Sequence, residues 1–238
     1  MKTLIQNRVI TIPKTTGTQI YKSQFDSDKN YKNLVGIAAV AVSGDFSQDI
    51  EIEFKDDNGQ LFSFAPAEVW VKDGTAISKD LTNIFRKVNV TSNGRNIYCN
   101  VKATNTATPA KFVVYYLQSN DGPEVRPFDF VTYDFNFASL PSYKNIVLPT
   151  KCKKVVGIAA VTANASSSKV MLHLENSISK QLDDIQLSAL KITGSIPYDI
   201  DFFPVEFAAD GQELKLYGTA ADAVSGAVSG KVVFLLAD

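Results

Sequence analysis

The chain has 238 residues, room for one large domain or two of ordinary size. Its 24 Lys and Arg balance 25 Asp and Glu, and a net charge of −1 gives no long-range pull toward nucleic acid or anionic lipid. The 15 Phe and 9 Tyr, set among many Val, Ile and Thr, suit a pleated, half-buried surface and favour an all-β fold.

In chain order, Met1 to Arg8 holds a lysine but no apolar run of signal-peptide length. No segment approaches the roughly 18 apolar residues that cross a bilayer, so synthesis and folding in a cytoplasm are expected. An edge strand is predicted at Val9 to Ile12, followed by a long polar stretch. Strands are then predicted at Leu34 to Val42, Ile50 to Phe54, Leu61 to Phe64, Glu68 to Val71, Ile84 to Val90, Ile97 to Val101 and Phe112 to Leu117. Ser119 to Pro127 is turn-rich and should end a first domain over residues 1–122. Residues 123–142 read as a connector whose aromatic run, Phe128 to Phe137, favours burial between domains or subunits, holding the halves rigidly side by side. A second domain is expected over 143–238, with strands at Ile146 to Leu148, Val155 to Thr162, Val170 to Leu174, Ile185 to Leu187, Leu190 to Thr193, Phe202 to Phe207, Leu214 to Tyr217 and Val232 to Leu236. Ser78 to Arg86 and Ser177 to Asp184 are each able to hold one short helical turn. Gly218 to Gly230 reads as a mobile loop.

An internal repeat organises these elements. Val35-Gly36-Ile37-Ala38-Ala39-Val40 recurs unchanged as Val156-Gly157-Ile158-Ala159-Ala160-Val161. Upstream, Asn7 to Lys14 resembles Lys144 to Lys151. Downstream, Glu68 to Val71 faces Ala189 to Ile192, Phe85 to Val90 faces Phe202 to Phe207, and the turn Asn93-Gly94 faces Asp210-Gly211. Lys111 to Leu117 matches Lys231 to Leu236. The order of matches is kept throughout, so each half is read as one sandwich of about eight strands, the number in a jelly roll; a seven-stranded immunoglobulin-like sandwich stays open. Both faces of the repeated hexapeptide are apolar. Gly36, Ala38, Gly157 and Ala159 therefore await a close neighbour: the other domain, another subunit, or the strand's own loop.

Chemistry is sparse. The single histidine, His173, lies mid-strand and is expected to face solvent without a catalytic partner. Asp56-Asp57, Asp183-Asp184 and Asp199 with Asp201 are carboxylate pairs placed where turns collect acids. Asp26 to Asn30 resembles the start of a calcium loop but lacks its glycine and terminal glutamate. Cys99 and Cys152 occupy unmatched places and read as free thiols. Asn89-Val90-Thr91 and Asn164-Ala165-Ser166 match a glycosylation pattern by accident, and Lys144 with Lys151, Lys153 and Lys154 reads as a solvated barrel end. No catalytic, metal or cofactor-binding residue is assigned.

Two matched eight-stranded sandwiches sharing the Val-Gly-Ile-Ala-Ala-Val strand, with near-zero charge and no catalytic set, resemble a compact double jelly-roll major capsid protein of tailless, internal-membrane-containing icosahedral phages and the adenovirus-like lineage. The resemblance covers the whole chain and is architectural. It implies a structural virion protein, not an enzyme, that forms a homotrimer of pseudo-hexagonal outline, because two barrels per subunit give six per trimer. It further implies tiling with neighbouring trimers into a shell over an internal membrane, contacts with minor capsid or penton proteins, and no direct contact with nucleic acid. Contact surfaces are then expected at Gly36, Ala38, Gly157 and Ala159, at Phe128 to Phe137, and at an N-terminal arm, Met1 to Arg8. The alternative is a tandem carbohydrate-binding or adhesin module that exposes aromatics such as Trp70 or Tyr198; a hydrolase using the acidic pairs ranks last.

Overall fold

The computed structural model describes residues 3–73, 85–122, 128–150, 154–196, 198 and 201–237. It divides into two units, Met1–Asp129 with Thr193–Asp201, and Phe130–Ile192 with Phe202–Asp238. The excursion of Thr193–Asp201 into the first unit was not foreseen from the sequence.

In unit 1, β1 (Thr3–Ile12), β2 (Thr18–Asp26), β3 (Asn33–Ser43), β4 (Ile50–Asp56) and β5 (Gly59–Pro66) are followed by a single helical turn, α1 (Ala67–Trp70), and the short β6 (Val71–Lys72). Then come β7 (Arg86–Thr91), β8 (Asn96–Thr104) and β9 (Ala110–Ser119). One sheet runs β1-β9-β3-β6, with β7 also on β3, and the other runs β2-β8-β4-β5. Unit 2 holds β10 (Phe128–Phe137) from Phe130 onward, β11 (Ser142–Val147), β12 (Lys154–Val161), a 3-10 turn at Ser167–Lys169, β13 (Val170–Glu175) and β14 (Lys180–Gln186). A second helical turn, α2 (Leu187–Leu190), precedes β15 (Phe203–Ala208), β16 (Glu213–Ala220) and β17 (Val228–Ala237). Its sheets run β10-β17-β12-β15 and β11-β16-β13-β14. With the short β6 set aside, in each unit the first of eight strands pairs with the last, the second with the seventh, the third with the sixth and the fourth with the fifth. That strand order is a jelly roll, present twice.

The repeat extends below strand order. In β3, Leu34 opposes Gln118 and Gly36 opposes Leu117, so Val35 is an extra residue. In β12, Val155 opposes Leu236 and Gly157 opposes Leu235, which makes Val156 extra in the same place. This bulge lets Val155, Ile158 and Ala160 all reach the unit 2 core despite their odd spacing. Asn93-Gly94 and Asp210-Gly211 both turn with positive φ, 26° and 79° in the first and 32° and 69° in the second, and each tight turn carries the chain from one sheet of its unit to the other.

Several sequence expectations are corrected. Glu68 to Trp70 is a helical turn and only Val71 of that expected strand enters β6, while in the second expected strand Leu190 closes α2 and Lys191 makes a single parallel bridge to Ala160. α2 packs on β12 of one sheet and on β13 and β14 of the other, closing the gap between them. Ser177 to Asp184 is not helical but enters β14, and the helix expected from Ser78 lies mainly outside the described residues. The polar stretch before residue 33 contains β2, whose only fully buried side chain among its apolar residues is Phe25. The true counterpart of β1 is β10 and that of β11 is β2, so the upstream repeat match was misplaced. Residues 128–137 form a full strand whose Phe135 and Phe137 enter the unit 2 core. Gly218 and Gly230 lie within strands, where an added Cβ would meet Phe137 at 2.5 Å and the Val161 carbonyl at 2.6 Å, so close packing rather than mobility places glycine there.

Candidate functional site

The repeated Gly-containing strand is covered from within its own unit. A Cβ on Gly36 would lie 2.9 Å from the Cβ of Phe85, and one on Gly157 would lie 2.9 Å from the Cβ of Phe202. Ala38 packs with Phe85 and Tyr198, and Ala159 is fully buried. These four small residues are therefore not open contact surfaces, as had been expected, because an aromatic residue ahead of the sixth jelly-roll strand fills each gap.

Above Ala38 the unit 1 sheet changes partner. Antiparallel pairing with β7 ends at Ile37 and Arg86, and parallel pairing with β6 begins at Ala39 and Val71. The Tyr198 hydroxyl bridges the gap: it accepts the Ala39 N–H at 3.1 Å and donates to the Trp70 carbonyl. Burial pushes this hydroxyl's pKa upward and keeps it a donor. Beside it, Asp201 takes two cations. Arg86 donates to its Oδ2 and Lys72 Nζ lies 3.3 Å from the same oxygen, with all three side chains buried. Arg86 also donates to the Val69 carbonyl at 3.0 Å and Lys72 to the Glu68 carbonyl at 3.3 Å. Both cations lie over the Tyr198 ring, at 4.9 Å for Lys72 and 4.8 Å for Arg86. Burial pulls the Lys72 ammonium down to about 8, against the opposing pull of Asp201. Removing one partner from such a buried set costs about 3–5 kcal/mol.

The remaining residues singled out in the sequence sit apart from this cluster. His173 stacks on Tyr217 at 4.6 Å and meets Asp184 Oδ1 at 2.9 Å, so it is largely covered rather than turned freely to solvent. Asp183 pairs with Lys180 at 3.0 Å. Asp56 meets Arg95 at 3.3 Å and accepts the Asn58 N–H, while Asp57 accepts from Asn96 and Tyr98, the bonding of a turn rather than of an acid pair. Asp28 accepts the Asn30 N–H at 2.8 Å in a local turn. Cys99 is a buried free thiol whose pKa burial raises, and Cys152 and Asp199 lie outside the described residues. Among the described residues no group of metal-binding side chains is assembled.

Trp70 and Tyr198, the aromatics that a glycan-binding reading would expose, are both buried. An outward row does exist in unit 2, where Tyr143, Tyr217 and His173 stand abreast across β11, β16 and β13. His173 stacks on Tyr217, and Tyr143, 55% exposed, lies tilted to Tyr217 with centroids 5.3 Å apart.

No protein-family model and no curated protein matches the chain. Among solved structures it is similar to the major capsid protein P2 from bacteriophage PM2, with 10% identity and a TM-score of 0.44, over 98% of this chain and 97% of that one. It is similar to peptide-N(4)-(N-acetyl-β-D-glucosaminyl)asparagine amidase at 10% identity and a TM-score of 0.39, over 98% and 96% of the two chains. A chain of Sulfolobus turreted icosahedral virus is similar at 9% identity and 0.42, over 98% and 90%. The jelly-roll assignment stands on the strand order itself.

The outer faces of the unit 1 sheets differ in character. Across β1, β9 and β3 run the rows Ile5-Leu117-Gly36 and Val9-Val113-Val40, in which Ile5 is 43% and Val9 55% exposed. The outer face of the other sheet carries ion pairs such as Lys102 with Glu51 at 2.8 Å and Lys55 with Glu53 at 3.0 Å. The expected N-terminal arm is paired strand from Thr3 onward, and contributes Ile5 and Val9 to the apolar face. The sequence signal for that face was the pair Ile5 and Val9 at one parity of a strand whose Ile10 and Ile12, at the other parity, are buried.

Proposed function

We propose that this chain is a structural coat subunit, a major capsid protein that assembles as trimers of pseudo-hexameric outline into an icosahedral shell over an internal membrane. The observation that carries the reading is the same jelly-roll strand order formed twice in one chain, with bulge, sheet-crossing turn and covering phenylalanine repeated in register. Two pseudo-equivalent units per chain let three chains present six similar building blocks around one axis, which is how a threefold assembly tiles a hexagonal net. The near-balanced charge suits a shell separated from its genome by lipid. On this reading its contacts are with other copies, neighbouring trimers and minor capsid proteins, it acts without catalysis, and it resides in the virion after synthesis in the host cytoplasm. We propose that the two ancestral copies divide after residue 122, with β10 opening the second copy rather than residue 143.

Light scattering over a concentration series, with electron microscopy of the same samples, tests the proposal. Stable trimers that tile into sheets or shells support it. A monomer indifferent to concentration overturns it and directs attention to glycan screening of the tandem sandwich.

A further inference from the structure

The sequence holds two Asn-Gly steps, Asn58-Gly59 and Asn93-Gly94, both exposed and both in unit 1. Asparagine is thermolabile, and a following glycine leaves the backbone nitrogen that attacks it unshielded by any Cβ. As sequence the two steps are alike; their surroundings are not. Asn93 has φ 26° and Gly94 φ 79°, in a turn closed from the Arg95 N–H to the Ser92 carbonyl at 2.6 Å and tied by the Asn93 N–H to the Lys32 carbonyl at 3.3 Å. The left-handed region couples a positive φ to a positive ψ. That setting turns the glycine nitrogen to the side of the Cα–C bond opposite Cβ, out of reach of the side-chain carbonyl carbon. Asn58, with negative φ, lies in the two-residue loop joining β4 to β5, where Asp56 opposes Gly59 and its carboxylate accepts the Asn58 N–H at 2.8 Å. Gly59 has φ 139°, and the space beside it is open. With its amide oxygen turned to Arg95, Asn58 accepts from both guanidinium nitrogens, at 2.8 and 3.2 Å. Arg95 is held there by Asp56 Oδ2 at 3.3 Å.

We propose that Asn58 is a self-modification site, at which the chain deamidates with Arg95 holding and polarising the amide. The Gly59 nitrogen bonds to Asn58 Cγ while negative charge gathers on the amide oxygen, to which the guanidinium donates twice. The Cγ–Nδ2 bond then breaks, and the amino group takes up the proton lost by Gly59 and leaves as ammonia. Water opens the resulting five-membered imide at either carbonyl and leaves aspartate or isoaspartate at position 58. Water is the sole co-reactant. The product adds one negative charge to the chain's net −1, next to Asp56 and Asp57 and within reach of Arg95. The isoaspartate form also lengthens the main chain by one atom in the turn that joins β4 to β5. This inference concerns one turn of unit 1 and does not rest on the coat reading.

The test uses the full chain, kept folded in mildly alkaline buffer at body temperature, with peptide mapping by mass spectrometry to follow the exchange of –NH2 for –OH at each asparagine. Loss at Asn58 is expected to outrun loss at Asn93 roughly tenfold, because Asn93 reacts only when its turn opens and gives up about one backbone hydrogen bond. In the urea-unfolded chain the two sites should react alike. Arg95→Ala is expected to slow loss at Asn58 roughly tenfold, less than an enclosed oxyanion donor contributes, since the Arg95 side chain is 40% exposed. A merely structural Arg95 would act with the opposite sign, because loosening the turn speeds the reaction. Loss at Asn93 as fast as at Asn58 in the folded chain overturns the proposal, as does a bias that persists undiminished in urea. An Arg95→Ala rate at Asn58 that is unchanged or higher overturns it too. Should Arg95→Ala lose its sheet signal, the comparison of the two sites in the unaltered chain, folded and unfolded, decides.

Discussion

Lys72 sits where desolvation and a counter-ion oppose each other, and desolvation prevails. Its folded-state pKa, about 8, lies below the ordinary 10.5, so between these values the unfolded chain binds the extra proton. Stability from this group therefore rises with pH from about 8 to about 10.5, by up to ~3 kcal/mol. Urea titrations across that range should show the rise in the natural chain and a flatter profile in Lys72→Met. Gly36 and Gly157 make a second residue-scale case. Each Cβ added by alanine meets the Cβ of a phenylalanine at 2.9 Å, a backbone-proximal atom that yields only if its strand moves. Gly36→Ala and Gly157→Ala are each expected to lose about 1–3 kcal/mol in thermal or denaturant unfolding. The ionic cluster itself was illegible in the sequence, because Asp201 lies 115 residues from Arg86 and 129 from Lys72. The only local hint was a charge within each of two otherwise apolar segments, and a sequence does not say which distant acid answers it.

At the scale of elements, the identical hexapeptide was enough to find two copies of one domain, but simple alternation could not reveal the extra residue that opens it. Val35 and Val156 are as apolar as their neighbours, and a bulge shows only in what lies opposite. Deleting Val156 should leave Val155 and Ile158 two positions apart and both on the core face, whereas inserting a second residue beside Val156 should place them on opposite faces and remove one of them from the unit 2 core. Circular dichroism and near-ultraviolet spectra are expected to show cooperative unfolding kept in the deletion and lost in the insertion. The two helical turns were read as strands because each is only four residues long, with Val69 and Trp70 or Leu187 and Leu190 buried, a pattern too short to separate one period from the other. β2 was missed for the opposite reason: an edge strand whose outer side is polar carries little apolar signal.

For the whole molecule, the jelly-roll strand order was anticipated from strand count and repeat, while the places where copies would meet were not. The small residues expected to lie open are sealed by Phe85, Tyr198 and Phe202, while Ile5 and Val9 stay exposed on the outer face of β1. If that face mediates assembly, Ile5→Lys with Val9→Glu should abolish higher-order species in light scattering while leaving the sheet signal and unfolding midpoint nearly unchanged, since surface substitutions of this kind move stability by about 0.5 kcal/mol or less.

The borders of the sheets add a restriction of another kind. β15 carries Pro204, which has no N–H to offer, and β14 bears Lys180, Asp183 and Asp184 with two breaks in its register. β5, likewise broken twice in its pairing with β4, ends on Pro66. Such borders make poor templates for another chain's backbone. Strand addition is disfavoured at these three margins, which closes one route by which copies could add on as fibres.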